Sequence, residues 1–309
     1  MTTRGAGRYA PSPSGRLHLG NLRTAMVAWL FAKSTGRDFV MRIEDVDRGR
    51  DAGAADEQLA ELAAIGIDWN GAPVYQTARR TRHEAAIAEL ASQGLVYECT
   101  CTRREILEAP SAPHAAPGAY PGTCRNRSEA ERTAARAAIA PREPALRLRT
   151  DLHEMSFNDL LLGEVTAAID DFVLRRGDGA IAYNLAVVVD DADMGVDQVV
   201  RGDDLASSTP RQILLQQLLG LPTPEYAHVA LVLGPSGARL AKRDGAVTLE
   251  DLAEEGISPE DVRDQLATSL GLISAGESLS LEQLVSRFAP SKLPREPWIW
   301  RPEARENDC

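Results

Sequence analysis

The stretch Arg8-Tyr9-Ala10-Pro11-Ser12-Pro13-Ser14-Gly15-Arg16-Leu17-His18-Leu19-Gly20-Asn21 constrains the fold more than any other part of the chain. A short β-compatible segment precedes it, and beyond it Leu22, Ala25, Met26, Trp29 and Leu30 recur at helical spacing, so a tight strand-to-helix turn is predicted. Gly15 and Gly20 have no Cβ to hold a ligand away from the backbone. The helix N-terminus beyond Gly20 is expected to offer unpaired N–H groups and a positive dipole end to phosphate, with His18 adding a donor. Glycine and proline also punctuate ordinary βα connections, so the turn alone leaves that plainer reading open.

Far along the chain, Arg239-Leu240-Ala241-Lys242-Arg243-Asp244-Gly245 follows an apolar run at 228–233 and forms a basic loop able to close on a triphosphate. At 309 residues the chain can bury a sizeable core, as one large domain with insertions or as two. No apolar run approaches the roughly 18 residues of a membrane span, and the N-terminus lacks the apolar segment of a signal peptide. A cytoplasmic chain with no membrane contact is expected. The net charge of −11 argues, taken whole, against a nucleic-acid partner. Its distribution does not: residues 1–50 carry nine basic and four acidic side chains and 79–149 twelve against eight, whereas 150–309 hold thirteen against twenty-eight. The N-terminal half is therefore open to RNA.

Together the two stretches resemble the signatures of class I aminoacyl-tRNA synthetases, HIGH at His18-Leu19-Gly20-Asn21 and KMSKS at Arg239-Leu240-Ala241-Lys242-Arg243. Asn21 replaces the second His, and Arg239 and Ala241 replace a Lys and a Ser. The resemblance implies an α/β fold: a Rossmann-like parallel sheet, an inserted zinc-binding, acceptor-type subdomain and a C-terminal helical stem-contact region. It also implies ATP binding by His18, Gly20, Asn21, Arg239, Lys242 and Arg243, with His18 and Lys242 catalytic.

Asp38-Phe39-Val40-Met41-Arg42-Ile43 reads as a buried strand, and Glu44 beyond its carboxyl end is placed to meet a substrate ammonium. A helix is expected over 51–65, with Asp47 or Asp51 suited to cap it. Two core-packing helical patterns fall within 56–96. The run Arg42-Ile43-Glu44-Asp45-Val46-Asp47 resembles the signature after HIGH in glutamyl- and glutaminyl-tRNA synthetases.

Cys99, Cys101 and Cys124 lie within twenty-six residues, and Cys99 and Cys101 are too close to pair easily. Reduced thiols around a structural metal are the better reading, with His114 able to be the fourth ligand. The resemblance points instead to Tyr120, because the spacing is similar to the zinc site of short glutamyl-tRNA synthetase paralogues. One structural zinc on Cys99, Cys101, Tyr120 and Cys124 is the expectation.

The alanine- and arginine-rich run 129–140 reads as an exposed helix ended by Pro141, and 157–169 as a strand pair. A hairpin-like signal spans 172–179. Asp190, Asp191 and Asp193 read by default as a solvated acidic turn. Thr209 is expected to cap the helix that opens at Pro210. Two or three helices are expected in 249–288, then an irregular proline-rich end. By resemblance, Arg8, Ala10, Ser12, Glu44, Tyr183 and Arg201 hold the amino acid. A fixed guanidinium gives a carboxylate bidentate recognition that the amide of glutamine cannot return, so L-glutamate is the expected amino acid.

The resemblance covers roughly residues 4–290, so an anticodon-reading domain is not expected. With the Cys-Cys-Tyr-Cys pattern this matches the truncated paralogues, the glutamyl-queuosine tRNA(Asp) synthetases. It implies tRNA-independent activation of glutamate by ATP with magnesium, then transfer to the queuosine base of tRNA(Asp), by a monomer. The parts implied are catalytic halves at 1–98 and 171–248, the insertion at 99–170 and the stem-contact region and tail at 249–309. Charging of a tRNA 3′ end, another nucleotidyltransferase chemistry and a non-catalytic RNA-binding paralogue share parts of the pattern. The set Arg8, Glu44, Tyr183, Arg201 and Lys242 speaks against the last two.

Overall fold

Residues Ala6–Tyr9 are buried along their whole length and form β1, the central strand of a five-stranded parallel sheet. The structure, a computed structural model, describes residues 5–47, 49, 51–108, 119–240 and 247–301. From β1 the chain crosses through α1 (Leu19–Ser34) to β2 (Asp38–Ile43). Helix α1 is buried around most of its circumference between the sheet and the C-terminal helices. Leu22, Met26 and Leu30 are fully buried, each contributing about 1.5–3 kcal/mol of apolar burial.

Helix α2 (Ala55–Ala64) begins at Ala55, and Ala54 at its N-cap makes no side-chain cap. The expected capping by Asp47 or Asp51 is therefore corrected. Asp51 instead accepts from Gly53 N–H at 2.8 Å in a turn that delays the helix, and Asp47 pairs with Arg176 at 3.2 Å. Strand β3 (Val74–Tyr75) completes this side of the sheet, and α3 (Arg80–Ser92) follows.

The chain then leaves the sheet. Strand β4 (Val96–Cys99), helices α4 (Arg103–Glu108) and α5 (Glu129–Ile139) and strand β5 (Ala145–Leu148) come before the β6–β7 hairpin (Glu154–Asp159 and Gly163–Ala168) and β8 (Val173–Arg175). β4, β5 and β8 make a small antiparallel sheet, while the hairpin packs against the other edge of the main sheet.

Helix α6 (Tyr183–Asp193), β9 (Val196–Gly202), α7 (Thr209–Leu218), β10 (Glu225–Val229) and β11 (Val232–Leu233) form the second half. The main sheet runs β10-β9-β1-β2-β3. Two expectations fail here. Asp190, Asp191 and Asp193 belong to α6, because the apolar run before them continues its helical face to a charged, buried end. Thr209 is the first residue of α7 and not its cap; Ser208 occupies that position, and the Thr209 hydroxyl is taken by Arg201.

The C-terminal region holds α8 (Leu249–Glu254), α9 (Pro259–Ser269) and α10 (Leu281–Val285), then β12 (Trp298–Ile299) parallel to β11. The expected irregular end is corrected there. Pro294 and Pro297 forbid a helix, yet Trp298 and Trp300 donate backbone N–H groups to Leu231 and Leu233. Among the described residues no helix is long and apolar enough to cross a membrane.

Candidate active site

The order of the main sheet reverses between β1 and β9, where open α/β sheets bind ligands beyond their carboxyl ends. Arg8 on β1 and Arg201 on β9 lie at that point. A cleft of about 900 Å³ opens there, bordered by Arg8, Ala10, Ser12, Glu44, Tyr183 and Arg201 and, farther along, by His18, Gly20, Asn21 and Arg239. Every expected amino-acid and nucleotide residue within the described regions thus borders one cavity. Lys242 and Arg243 lie outside the described residues. Val247, just beyond them, accepts from Leu19 N–H at 2.9 Å at the start of α1.

The end of the cleft around Arg8 and Arg201 is a charge network. Arg8 is 5% exposed, donates through Nη1 to Val200 O at 3.1 Å, and its Nε stands 3.5 Å from Asp191 Oδ1. Arg42, fully buried on β2, donates to the same Asp191 oxygen at 2.5 Å and to Glu44 Oε1 at 3.2 Å. Burial raises the Glu44 carboxyl above its ordinary value, against the pull of Arg42 and Arg8. Arg201 donates to Tyr183 Oη at 3.3 Å, to Thr209 Oγ1 at 2.7 Å and to His228 Nε2 at 3.1 Å. One hydrogen remains on each of its terminal nitrogens, enough for a bidentate acceptor.

The other end is built by the turn before α1. Asn21 N–H donates to His18 Nδ1 at 3.3 Å while Asn21 Oδ1 accepts from His18 N–H at 3.2 Å, a reciprocal cap. The expectation that helix N–H groups lie unpaired beyond Gly20 needs correction. The helix starts at Leu19, and the amides of Leu19 and Asn21 are already engaged. What this offers phosphate is the His18 ring itself. Burial pushes its pKa down, and with Nδ1 accepting, the neutral ring carries its proton on Nε2. Gly20 serves that ring directly, because a Cβ there would lie 2.9 Å from His18 Cε1. Gly15 meets nothing within 4 Å and is required by its φ of +144°. Arg239 is exposed and pairs with Asp204 at 2.6 Å.

At the end of β4, Cys99 and the loop residues Cys101 and Cys124 put their sulfurs within 4.8 Å of one another. Cys101 and Cys124 are 3.6 Å apart, and Tyr120 Oη is 3.4 Å from Cys99 Sγ. Sulfurs about 3.8 Å apart are what a tetrahedral ion with bonds of about 2.3 Å requires, so the group fits a metal. Hydrogen bonding from Cys99 holds the Cys124 thiol below its ordinary value, towards the thiolate form a metal ligand takes. His114, the other candidate ligand, lies outside the described residues.

Sequence reasoning missed Asp191, His228 and Gln58. The signal for Asp191 was Arg42, since an arginine inside the apolar strand 38–43 demands a carboxylate. Gln58 on α2 donates to the carbonyls of Ser12 and Gly15 at 3.0 and 2.6 Å and so fixes the turn.

Residues 6–299 match the family described as "tRNA synthetases class I (E and Q), catalytic domain". A "Glutamyl-Q tRNA(Asp) synthetase" of Nocardia farcinica is 60% identical over 96% of this chain and 94% of its own. The chain belongs to the glutamyl-Q tRNA(Asp) synthetase family. A second member, from Symbiobacterium thermophilum, is 45% identical over 94% of each chain. Members of this family are class I synthetase-type ligases, and the Rossmann-like parallel sheet follows that class. Among solved structures, a glutamate tRNA ligase from Elizabethkingia meningosepticum in complex with its amino acid superposes with a TM-score of 0.81 at 27% identity, over 96% of this chain and 67% of that one.

Proposed function

We propose that this chain activates L-glutamate with ATP, without tRNA, and transfers it to the queuosine base in the anticodon of tRNA(Asp). The observation that carries the proposal is that Arg8, Glu44, Tyr183 and Arg201 border the same cleft as the His18 turn. Glu44 pairs with the substrate ammonium. Arg8, Arg201 and the Tyr183 hydroxyl take the side-chain carboxylate, with Ala10 and Ser12 closing the loop over it.

In the first step an α-carboxylate oxygen of glutamate bonds to the α-phosphorus of ATP, the bond from that phosphorus to the bridging oxygen breaks, and pyrophosphate leaves. ATP enters as its magnesium complex. The His18 Nε2–H and the cations Arg239, Lys242 and Arg243 oppose the charge that develops on phosphate. In the second step a hydroxyl of the queuosine cyclopentenediol attacks the acyl carbon, loses its proton, and AMP departs. Positioning carries most of the rate. The queuosine target rests on the names of the relatives at 60% and 45% identity.

Cys99, Cys101, Tyr120 and Cys124 would hold one zinc, which ties the insertion together and takes no part in the chemistry. Residues 1–98 and 171–248 serve as the catalytic halves, 99–170 as the inserted subdomain and 249–309 as the stem-contact region. The protein works as a cytoplasmic monomer.

Glutamate transfer to tRNA(Asp) from cells with and without queuosine tests this reading. Label is expected only on the queuosine form, and it survives removal of the 3′-terminal adenosine. Equal labelling of both tRNAs, or label lost with that adenosine, excludes base modification. Metal analysis of the purified protein should find about one zinc per chain.

A further inference from the structure

Arg201 reaches the cleft without a carboxylate of its own. Among the described residues no acid pairs with it; it donates to His228, Tyr183 and Thr209, and the Tyr226 ring centroid lies 5.6 Å from its Cζ, all neutral groups. Arg8 and Arg42, by contrast, share Asp191. The guanidinium of Arg201 is nonetheless buried, 5% exposed, and something must fix it.

Behind it stands an acid held one ring away. His228 Nδ1 lies 2.6 Å from Asp159 Oδ2, and its Nε2 lies 3.1 Å from Arg201 Nε and 3.2 Å from Thr209 Oγ1. Only one tautomer satisfies all three. Nδ1–H donates to the carboxylate, and the bare Nε2 accepts from Arg201 and from the Thr209 hydroxyl, which in turn accepts from Arg201 Nη2. With the proton on Nε2, the ring would meet the guanidinium donor to donor. Asp159 is held in place by the backbone N–H groups of Leu161, Leu162 and His228 at 2.8, 2.9 and 3.2 Å. Tyr226 stacks on the ring at 6.2 Å between centroids and Phe157 meets its edge at 6.0 Å. Asp159, His228 and Thr209 are 5%, 1% and 0% exposed.

We propose that Asp159 and His228 are positioning residues that aim Arg201 through a neutral imidazole, so that a ligand carboxylate, and not the protein, completes its ion pair. A direct Asp–Arg contact would hold the guanidinium equally well and satisfy it. The relay holds it and leaves it wanting an anion. An acidic side chain meets that need; a neutral amide does not. The inference rests on the reading that Arg201 binds the side-chain carboxylate of glutamate.

The test is glutamate-dependent ATP–pyrophosphate exchange by the full chain without tRNA. His228→Leu should raise KM for glutamate by about 10- to 100-fold, as loss of a charge-assisted hydrogen bond does, with KM for ATP changed less than about twofold. His228→Gln, whose side-chain carbonyl can still accept from Arg201, should recover most of that loss. Thr209→Val removes one strut only and carries the same test if His228→Leu does not fold; its expected rise is about threefold to tenfold. Unchanged KM for glutamate in His228→Leu and Thr209→Val, or His228→Gln no better than His228→Leu, would overturn the relay while a defective Arg201→Ala left the binding assignment standing. An Arg201→Ala enzyme with normal KM for glutamate would overturn both.

Discussion

The two ends of the cleft are built on opposite principles. At the Arg8 end Arg8, Arg42 and Asp191 are buried and, with the partly buried Glu44, bonded in one network, and Arg201 is braced by three hydrogen bonds. At the His18 end the only described basic side chain from the KMSKS-like stretch, Arg239, stands 73% exposed in a surface ion pair with Asp204. The first end is set before a ligand arrives, which suits discrimination between an acid and its amide. The second offers in Arg239 a cation that costs little to move, which suits a triphosphate whose charge shifts during reaction.

Breaking the braced end should do the most damage. Arg8→Ala is expected to lower kcat/KM for glutamate by about 10²- to 10³-fold in the exchange assay, because truncation removes a buried charge and strands its partners. Asp191→Asn leaves Arg8 and Arg42 buried with one counter-charge fewer. Urea denaturation should show a loss of about 3 kcal/mol.

Acidity sharpens the contrast next. Burial raises the Glu44 carboxyl above its ordinary 4.5, so it loses its charge at a higher pH than a surface carboxyl as the solution is acidified. KM for glutamate should therefore climb on the acid side, starting above the usual carboxylate range, and Glu44→Gln should start high and stay flat across the same window. KM for ATP should not follow. At the looser end, Arg239→Ala is expected to raise KM for ATP by only about twofold to fivefold and to leave the melting temperature where it was, as an exposed ion pair contributes little.

The same contrast governs what the sequence disclosed. Local pattern carried β2 (Asp38–Ile43) and α1 through apolar spacing and the exposed α5 through its alanine- and arginine-rich composition, while the β6–β7 hairpin was read partly from the resemblance. The family motifs brought the cleft residues together by number. The bracing behind them was not legible. Asp190 and Asp191 read as a solvated turn because nothing near them in sequence reveals Arg79, His83 and Arg42, which reach them from 107 to 149 residues away. Thr209 looked like a cap because its neighbour Pro210 opens a helix, whereas its hydroxyl is drawn back to Arg201 on β9. The Asp159–His228 pair, which spans 69 residues, was equally hidden. Long-range charge pairing leaves no period to read.

The central claim is that a pocket fixed in advance selects glutamate for activation. Its most direct test is ATP–pyrophosphate exchange without any RNA, with glutamate and glutamine compared side by side. The account predicts exchange with glutamate that exceeds exchange with glutamine by about 100-fold or more in kcat/KM, the range expected when a buried charged group is left without its partner. Equal exchange with the two amino acids, or exchange that appears only when tRNA is added, would contradict it.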